Sequence, residues 1–281
     1  MNLTTIVKLE NDLWAINEMN KTIMYLINGA DKALLIDTGF GITDLKQTIK
    51  ELCGEKEYYV INTHAHEDHN SGNNQFECIY VGRFDEVHSH EKMNAEKRAW
   101  FESNYFSDVI EQGYDIKKWN PGPCEHICTI KEGDEFDLGT YKFKVIEAPS
   151  HTLGSIVLLE EKKGWMFTGD ILLTWEVWGH LSSCFLAPSA SLMNYYDSIL
   201  KLSAYKNRIN CIFPSHSVAE NLPEGYRQYR LPVSVLDIYS NGIKNIFDGK
   251  AEIKDFYSKV EDGKKALFSV GGIVFKENRM Y

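Results

Sequence analysis

No run of about 18 consecutive apolar residues occurs in this 281-residue chain, so the sequence offers no membrane-spanning helix. Its first residues, Met1-Asn2-Leu3-Thr4-Thr5, lack the basic flank and apolar stretch of a secretory leader, and a cytoplasmic location is the expectation. Positive charge is scarce as well. Thirty Lys and Arg stand against 40 Asp and Glu, a formal net charge of −10, whereas phosphate backbones and anionic lipid surfaces are bound chiefly through Lys and Arg. The expected partner is therefore a small molecule, with no nucleic acid and no membrane; the sequence carries no signal for an oligomeric state. The six cysteines follow no framework spacing, in a chain too long to need staples, which suits a reducing compartment. Cys124-Glu125-His126-Ile127-Cys128 resembles a thiolate clip, but no second ligand pair stands near it and it reads as ordinary loop. Repeats and low-complexity linkers are absent, so residues 1–281 read as one domain.

What the chain does contain is His64-Ala65-His66-Glu67-Asp68-His69. Three imidazoles and an aspartate in six residues have no packing value as a cluster, and a metal ion is the direct use for their lone pairs. The mostly apolar Tyr58-Tyr59-Val60-Ile61-Asn62 before them reads as a buried strand, and Gly72 after them marks a break. The ligands thus leave a strand end. His64 and His66 can converge on one ion while Asp68 and His69 reach a second.

Around this motif, Thr5 to Ile16, Thr22 to Ile27 and Lys32 to Ile36 read as three antiparallel strands, and apolar spacings of 3, 4 and 3 predict a helix over 42–52. Residues 84–105 favour helix by composition. From Tyr105 to Pro123 the pattern is lost among aromatics, so that about 84–125 is expected to be an aromatic-rich lid insert. A second block of strands covers 127–168, a helix 192–202 and a strand 210–213. A helical segment is expected over about 222–260, and a closing strand over 266–275. Strand-rich middle layers with helices outside follow.

Three further apolar runs end as the first does: Val145-Ile146 leads to His151, Trp165-Met166-Phe167 to Asp170, and Cys211-Ile212-Phe213 to His216. Strand ends gathered on one rim of a sheet are a common place for a site. The set His64-x-His66-x-Asp68-His69, Ser150-His151-Thr152-Leu153-Gly154-Ser155, Thr168-Gly169-Asp170 and Pro214-Ser215-His216, with Leu35-Ile36-Asp37-Thr38-Gly39 upstream, resembles the metallo-β-lactamase superfamily over residues 34–216.

That resemblance implies an α+β fold, a four-layer αββα sandwich, with two divalent ions between the upper edges of the sheets. It places His64, His66 and His151 on the first ion, Asp68, His69 and His216 on the second, Asp170 across both, and Asp37 behind them as an orienting residue. Zinc is the expected metal, with Mn2+ or Fe2+ as alternatives. Aspartates at 68 and 170 speak against the members with a cysteine ligand, and His66 against those with a carboxylate there. Leu173 stands where the similar lactonases carry a tyrosine, and the basic elements of the tRNA-processing members are missing. The implied activity is hydrolysis of a small ester, thioester, lactone or phosphoester by a hydroxide bridging the metals, with Asp68 as catalytic residue. The alternatives are a phosphodiesterase acting on nucleic acid and a metal-stabilised module without turnover. Trp175, Trp178 and His180, with Phe185, are the candidate substrate-pocket residues, while His88, His90 and His126 read as surface or loop histidines.

Overall fold

Near-continuous apolar runs give most central strands two buried faces, which builds layers on both sides of each sheet. A computed structural model describes residues 3–182, 186–216 and 228–281. The first sheet runs in chain order: β1 (Thr4–Glu10), β2 (Leu13–Glu18), β3 (Thr22–Asn28), β4 (Ala33–Ile36), β5 (Tyr58–Asn62), β6 (Cys78–Gly82) and β7 (His126–Ile130). It is antiparallel from β1 to β4 and parallel from β4 to β7. Four of the next strands, β8 (Glu135–Asp137), β9 (Lys142–Glu147), β10 (Ile156–Glu160) and β11 (Trp165–Gly169), join β13 (Cys211–Pro214) in a second sheet of order β13-β11-β10-β9-β8. The helices are α1 (Leu45–Cys53), α2 (Glu67–Asn70), α3 (Glu86–Ser89), α4 (Ala95–Phe101), α5 (Ser107–Glu111), α6 (Leu192–Ser203) and α7 (Val235–Phe247).

On β3, Ile23, Tyr25 and Ile27 point between the sheets toward Val145, Leu158, Phe167 and Phe213, while Met24 and Leu26 point outward to Leu45 and Ile49 of α1. Val157, Leu159 and Met166, on the outer face of the second sheet, meet Tyr195, Ile199 and Leu202 of α6 and Leu236, Tyr239 and Ile243 of α7. This is the αββα sandwich. Full burial of each such side chain contributes about 1.5–3 kcal/mol before ordering entropy is charged against it. Asp44 caps α1 by accepting from Gln47 N at 3.0 Å, a contact worth about 1 kcal/mol.

The structure departs from the expected elements at several points. The strand expected over 5–16 is a hairpin of two, turning at Asn11-Asp12. The expected helix over 84–105 is three pieces, α3, α4 and a π-helical turn Glu102–Phe106, and the segment after it holds α5. In the expected helical segment 222–260, residues 222–227 lie outside the described residues. Of the rest, helix spans only α7, Gly249 (φ 67°) follows it, and Ile253–Phe256 is a strand, β14. The closing strand is a hairpin, β15 (Gly263–Leu267) and β16 (Gly272–Phe275), turned at Gly271 (φ 75°). With β12 (Glu176–Trp178) these form a third sheet of order β12-β16-β15-β14, against which α7 packs. Among the described residues no helix is long and apolar enough to cross a membrane.

Candidate metal centre

Strands β4 and β5 run parallel, and β9, β11 and β13 share one direction in the second sheet, so five carboxyl ends lie along one rim. From that rim come Asp37 after β4, His64, His66, Asp68 and His69 after β5, His151 after β9, Asp170 after β11 and His216 after β13. The structure brings all of these together. One ligand atom from each of His64, His66 and His151 lies within 4.8 Å of the others, and the same holds for Asp68, His69, Asp170 and His216.

Hydrogen bonds at the back of each ring fix which nitrogen faces the centre. A carbonyl only accepts, so His66 Nε2–H donates to Ala187 O (3.0 Å) and His151 Nδ1–H to Trp178 O (2.7 Å). His216 Nδ1–H donates to Lys21 O, and His69 Nδ1–H to Asp37 Oδ2 (3.1 Å). Thr63 Oγ1 gives its proton to Asp37 and accepts from His64 Nδ1 at 3.1 Å. The inward nitrogens of His64, His66 and His151 therefore carry lone pairs in the tautomers these contacts select, while those of His69 and His216 face the carboxylates of Asp68 and Asp170 and would give up their proton to a metal. His66 Nδ1 and His151 Nε2 stand 2.9 Å apart, lone pair to lone pair, a contact that only a cation between them makes favourable. His64 Nε2, His69 Nε2 and Asp170 Oδ1 are buried without a hydrogen-bond partner, which costs free energy unless an ion takes them. The residues fit two metal ions.

The two pockets differ in electrostatics. Burial, reinforced by the neighbouring imidazoles, pushes His64 well down and His66 and His151 down to about 4, so these three remain neutral donors at neutral pH. Burial also opposes charge in the second pocket, but Asp68 and Asp170 outweigh it and raise His69 and His216. Burial raises Asp68 in turn, and His69 and His216 more than offset this, leaving its carboxyl at about 2. Asp170 Oδ2 lies 2.9 Å from His216 Nε2, 3.5 Å from His69 Nε2 and 3.6 Å from His151 Nε2, so one carboxylate reaches both pockets.

Asp37, with φ at 64°, turns its fully buried carboxylate back beneath the site. It accepts from Thr63 N (2.7 Å), His69 Nδ1 and Ser215 Oγ (3.1 Å), joining the ends of β4, β5 and β13. Asp85 does the same for the first pocket and was not legible as a site residue. Its Oδ2 accepts from Ala65 N (2.9 Å) and Thr152 Oγ1 (2.7 Å), and its Oδ1 from Gly154 N (2.8 Å). A Cβ on Gly154 would sit 2.5 Å from that carboxylate, so glycine permits the approach. The one sequence mark of Asp85 is its place just after β6, which also ends at the rim. Lys97, buried on α4, pairs with Glu67 inside the histidine motif.

A cavity of about 410 Å³ opens over the centre, lined by His66, Asp68, His151, Asp170 and His216 and walled by Trp100, Tyr105, Leu173, Trp175, Trp178 and Leu186. Trp175 stands edge-on to His216 at 5.8 Å between ring centres. His180 is a correction to the expected pocket residues: it is fully buried behind the wall, its Nε2–H donating to Glu261 O (2.8 Å) and its ring against Phe256. Phe185 lies outside the described residues.

Comparison with known proteins places this centre in context. The family profile described as metallo-beta-lactamase superfamily matches residues 22–216. The acyl-coenzyme A thioesterase MBLAC2 of Gallus gallus is 23% identical over 222 residues, 75% of this chain and 77% of the relative. Its Homo sapiens counterpart is 23% identical over 179 residues, 58% of this chain, and the match spans 64% of that protein, under two thirds of its length. A hydroxyacylglutathione hydrolase of Francisella tularensis subsp. novicida is 24% identical over 91% of this chain and 85% of its own. Among solved structures, a metallo-beta-lactamase family protein of Thermus thermophilus superposes with a TM-score of 0.57 at 17% identity, over 86% of this chain and 82% of the other. The sec-alkylsulfatase Pisa1 of Pseudomonas sp. reaches 0.63 at 12% identity, over 88% of this chain and 42% of its own. At these identities the structural likeness carries the fold alone.

Proposed function

Because the chain belongs to the metallo-β-lactamase superfamily, we propose that it is a metal-dependent hydrolase of a small thioester, releasing a carboxylic acid and a thiol. The observation that carries this reading is the pair of pockets whose inward lone pairs converge, sharing Asp170, on the floor of a cavity with an apolar wall. The relatives named as thioesterase and hydroxyacylglutathione hydrolase support thioester over lactone or phosphoester. Five imidazoles and two carboxylates suit zinc, with Mn2+ or Fe2+ as alternatives.

Two divalent ions so held would polarise the acyl carbonyl and bring the pKa of a water between them to near neutrality. The chain's own residues do the rest. Asp68, ionised and 3.4 Å from both His69 Nε2 and His216 Nε2, is placed to orient that water and take its proton. Ala187 O, Trp178 O, Lys21 O and Asp37 hold the imidazoles at fixed angles. The aromatic wall offers an apolar surface on which the acyl arm would lie, shielding one side of it from water.

Purified protein should carry about two transition-metal ions per chain by elemental analysis. Traces only, with no uptake on reconstitution, would sink the metal reading. A panel of chromogenic thioesters, esters, lactones and phosphodiesters, assayed after reconstitution with zinc, manganese or iron, should give its highest kcat/KM on a thioester. Chelation should abolish that turnover. Cleavage of phosphodiesters with no action on thioesters would overturn the proposed substrate.

A further inference from the structure

The cavity wall contains a phenol that the reading so far leaves without a task. Tyr105 sits in the π-helical turn Glu102–Phe106, and turns of this kind recur at functional sites because the extra residue redirects a side chain. Its ring is stacked on Phe101 (5.3 Å between centres, 20° between planes) and packed on Phe40 (5.2 Å) and Trp100 (5.7 Å). Its carbonyl accepts from Lys21 Nζ, itself paired with Asp108 Oδ1 at 2.7 Å. Both ends of the residue are thus tied down. Tyr105 lines the same cavity as Asp68, His151, Asp170 and His216, and among the described residues its hydroxyl has no hydrogen-bond partner. A packing tyrosine that needs only its ring could be phenylalanine. Here the polar tip is kept, on a residue that lines the reaction space, with no acceptor among the described residues.

We infer that Tyr105 is a catalytic residue, its hydroxyl donating a hydrogen bond to the substrate oxygen that becomes negative as the acyl carbon turns tetrahedral. This inference rests on the hydrolase reading above. The donor keeps its proton throughout, so no transfer step is added to the reaction. Burial, together with the negative charge of Asp68 and Asp170, holds the phenol well above its ordinary range, which keeps it a donor at working pH. A preorganised donor aimed at developing charge in a water-poor cavity acts more strongly than the same bond in water.

The test is Tyr105→Phe, which keeps the ring and its stacking. On the carbonyl substrate of the panel that turns over fastest, kcat should fall roughly 10²-fold, as for a lost oxyanion donor, with KM changed little and two ions still bound. Binding provides the second readout, by calorimetry on a trifluoromethyl ketone, which hydrates to a tetrahedral form, and on an unreactive thioether with the same acyl arm. The ketone should weaken by about the same factor as kcat/KM, and the thioether should bind as before. Unchanged kcat and unchanged ketone binding would overturn the role while leaving the hydrolase reading intact. Equal weakening of both ligands would mean a wall contact and overturn it too. A wild-type protein that carries its metals and hydrolyses no carbonyl substrate would overturn the hydrolase reading and this role with it.

Discussion

Asp68→Asn is expected to cut turnover by roughly two to four orders of magnitude, the loss typical of a removed general base. Asp68 lies 3.4 Å from His69 Nε2 and from His216 Nε2, so the replacement amide, neutral and a poorer ligand, should also loosen the second pocket. The three imidazoles of the first pocket do not touch this change, and at least part of the first ion should remain. The fold should survive, because Asp68 stands on the rim above the sheets and not in the apolar layer between them. The measurement is paired: metal content by elemental analysis and turnover on the best substrate. Near-normal turnover with the second ion missing would mean a one-metal reaction and remove the role given to Asp68.

Lys97→Met should destabilise the protein by about 3–5 kcal/mol, the cost of leaving one partner of a buried ion pair alone. Lys97 is 3% exposed and Glu67 8% exposed, and they meet directly, with Glu91 Oε2 3.4 Å from the ammonium. Burial pushes the Glu67 carboxyl up to about 7 even with Lys97 present, as expected of a place that solvates a charge poorly. The comparison is urea unfolding of wild type and variant in chelator, so that metal release does not enter. The double variant Lys97→Met, Glu67→Met should recover most of the loss, since an apolar pair of similar volume avoids the desolvation cost. A single variant costing less than about 1 kcal/mol would place the pair in effect at the surface.

The residues that could be read in advance share one property: their partners are close in sequence, or they repeat a pattern. His64 to His69 are their own context, and His151, Asp170 and His216 each follow an apolar run, so four strand ends spoke together. Asp85 follows a strand as well, but a lone aspartate after Gly82-Arg83-Phe84 has no local mark of the 2.7–2.9 Å bonds it makes to residues 65, 152 and 154. Glu18 was silent for the same reason. It is fully buried and accepts from the backbone N–H of Phe40, Ile42 and Thr43, partners more than 20 residues away. His180 misled because a segment without clear period does not say which face a side chain takes. Trp175, a short way earlier in the chain, faces the cavity, and His180 faces Glu261. The third sheet was hard to read because β12 is three residues long and pairs with a strand almost 100 residues later.

That long-range pairing gives the protein a timetable. The ribosome has delivered every candidate ligand by His216, yet the carbonyl that orients His151 belongs to Trp178, and β12 is held by β16, where Trp178 pairs with Val274 and Gly179 N donates to Val274 O at 2.8 Å. Val274 is synthesised 58 residues after His216. At ~5–20 residues per second, the nascent chain waits about 3–12 s between owning its ligands and locking one of them and the wall beside it. Assembly of the ligand set and completion of the wall are thus separate events in the birth of each molecule. A chain stalled in that interval would hold ions in a half-walled site, open to exchange with whatever chelator the cell provides.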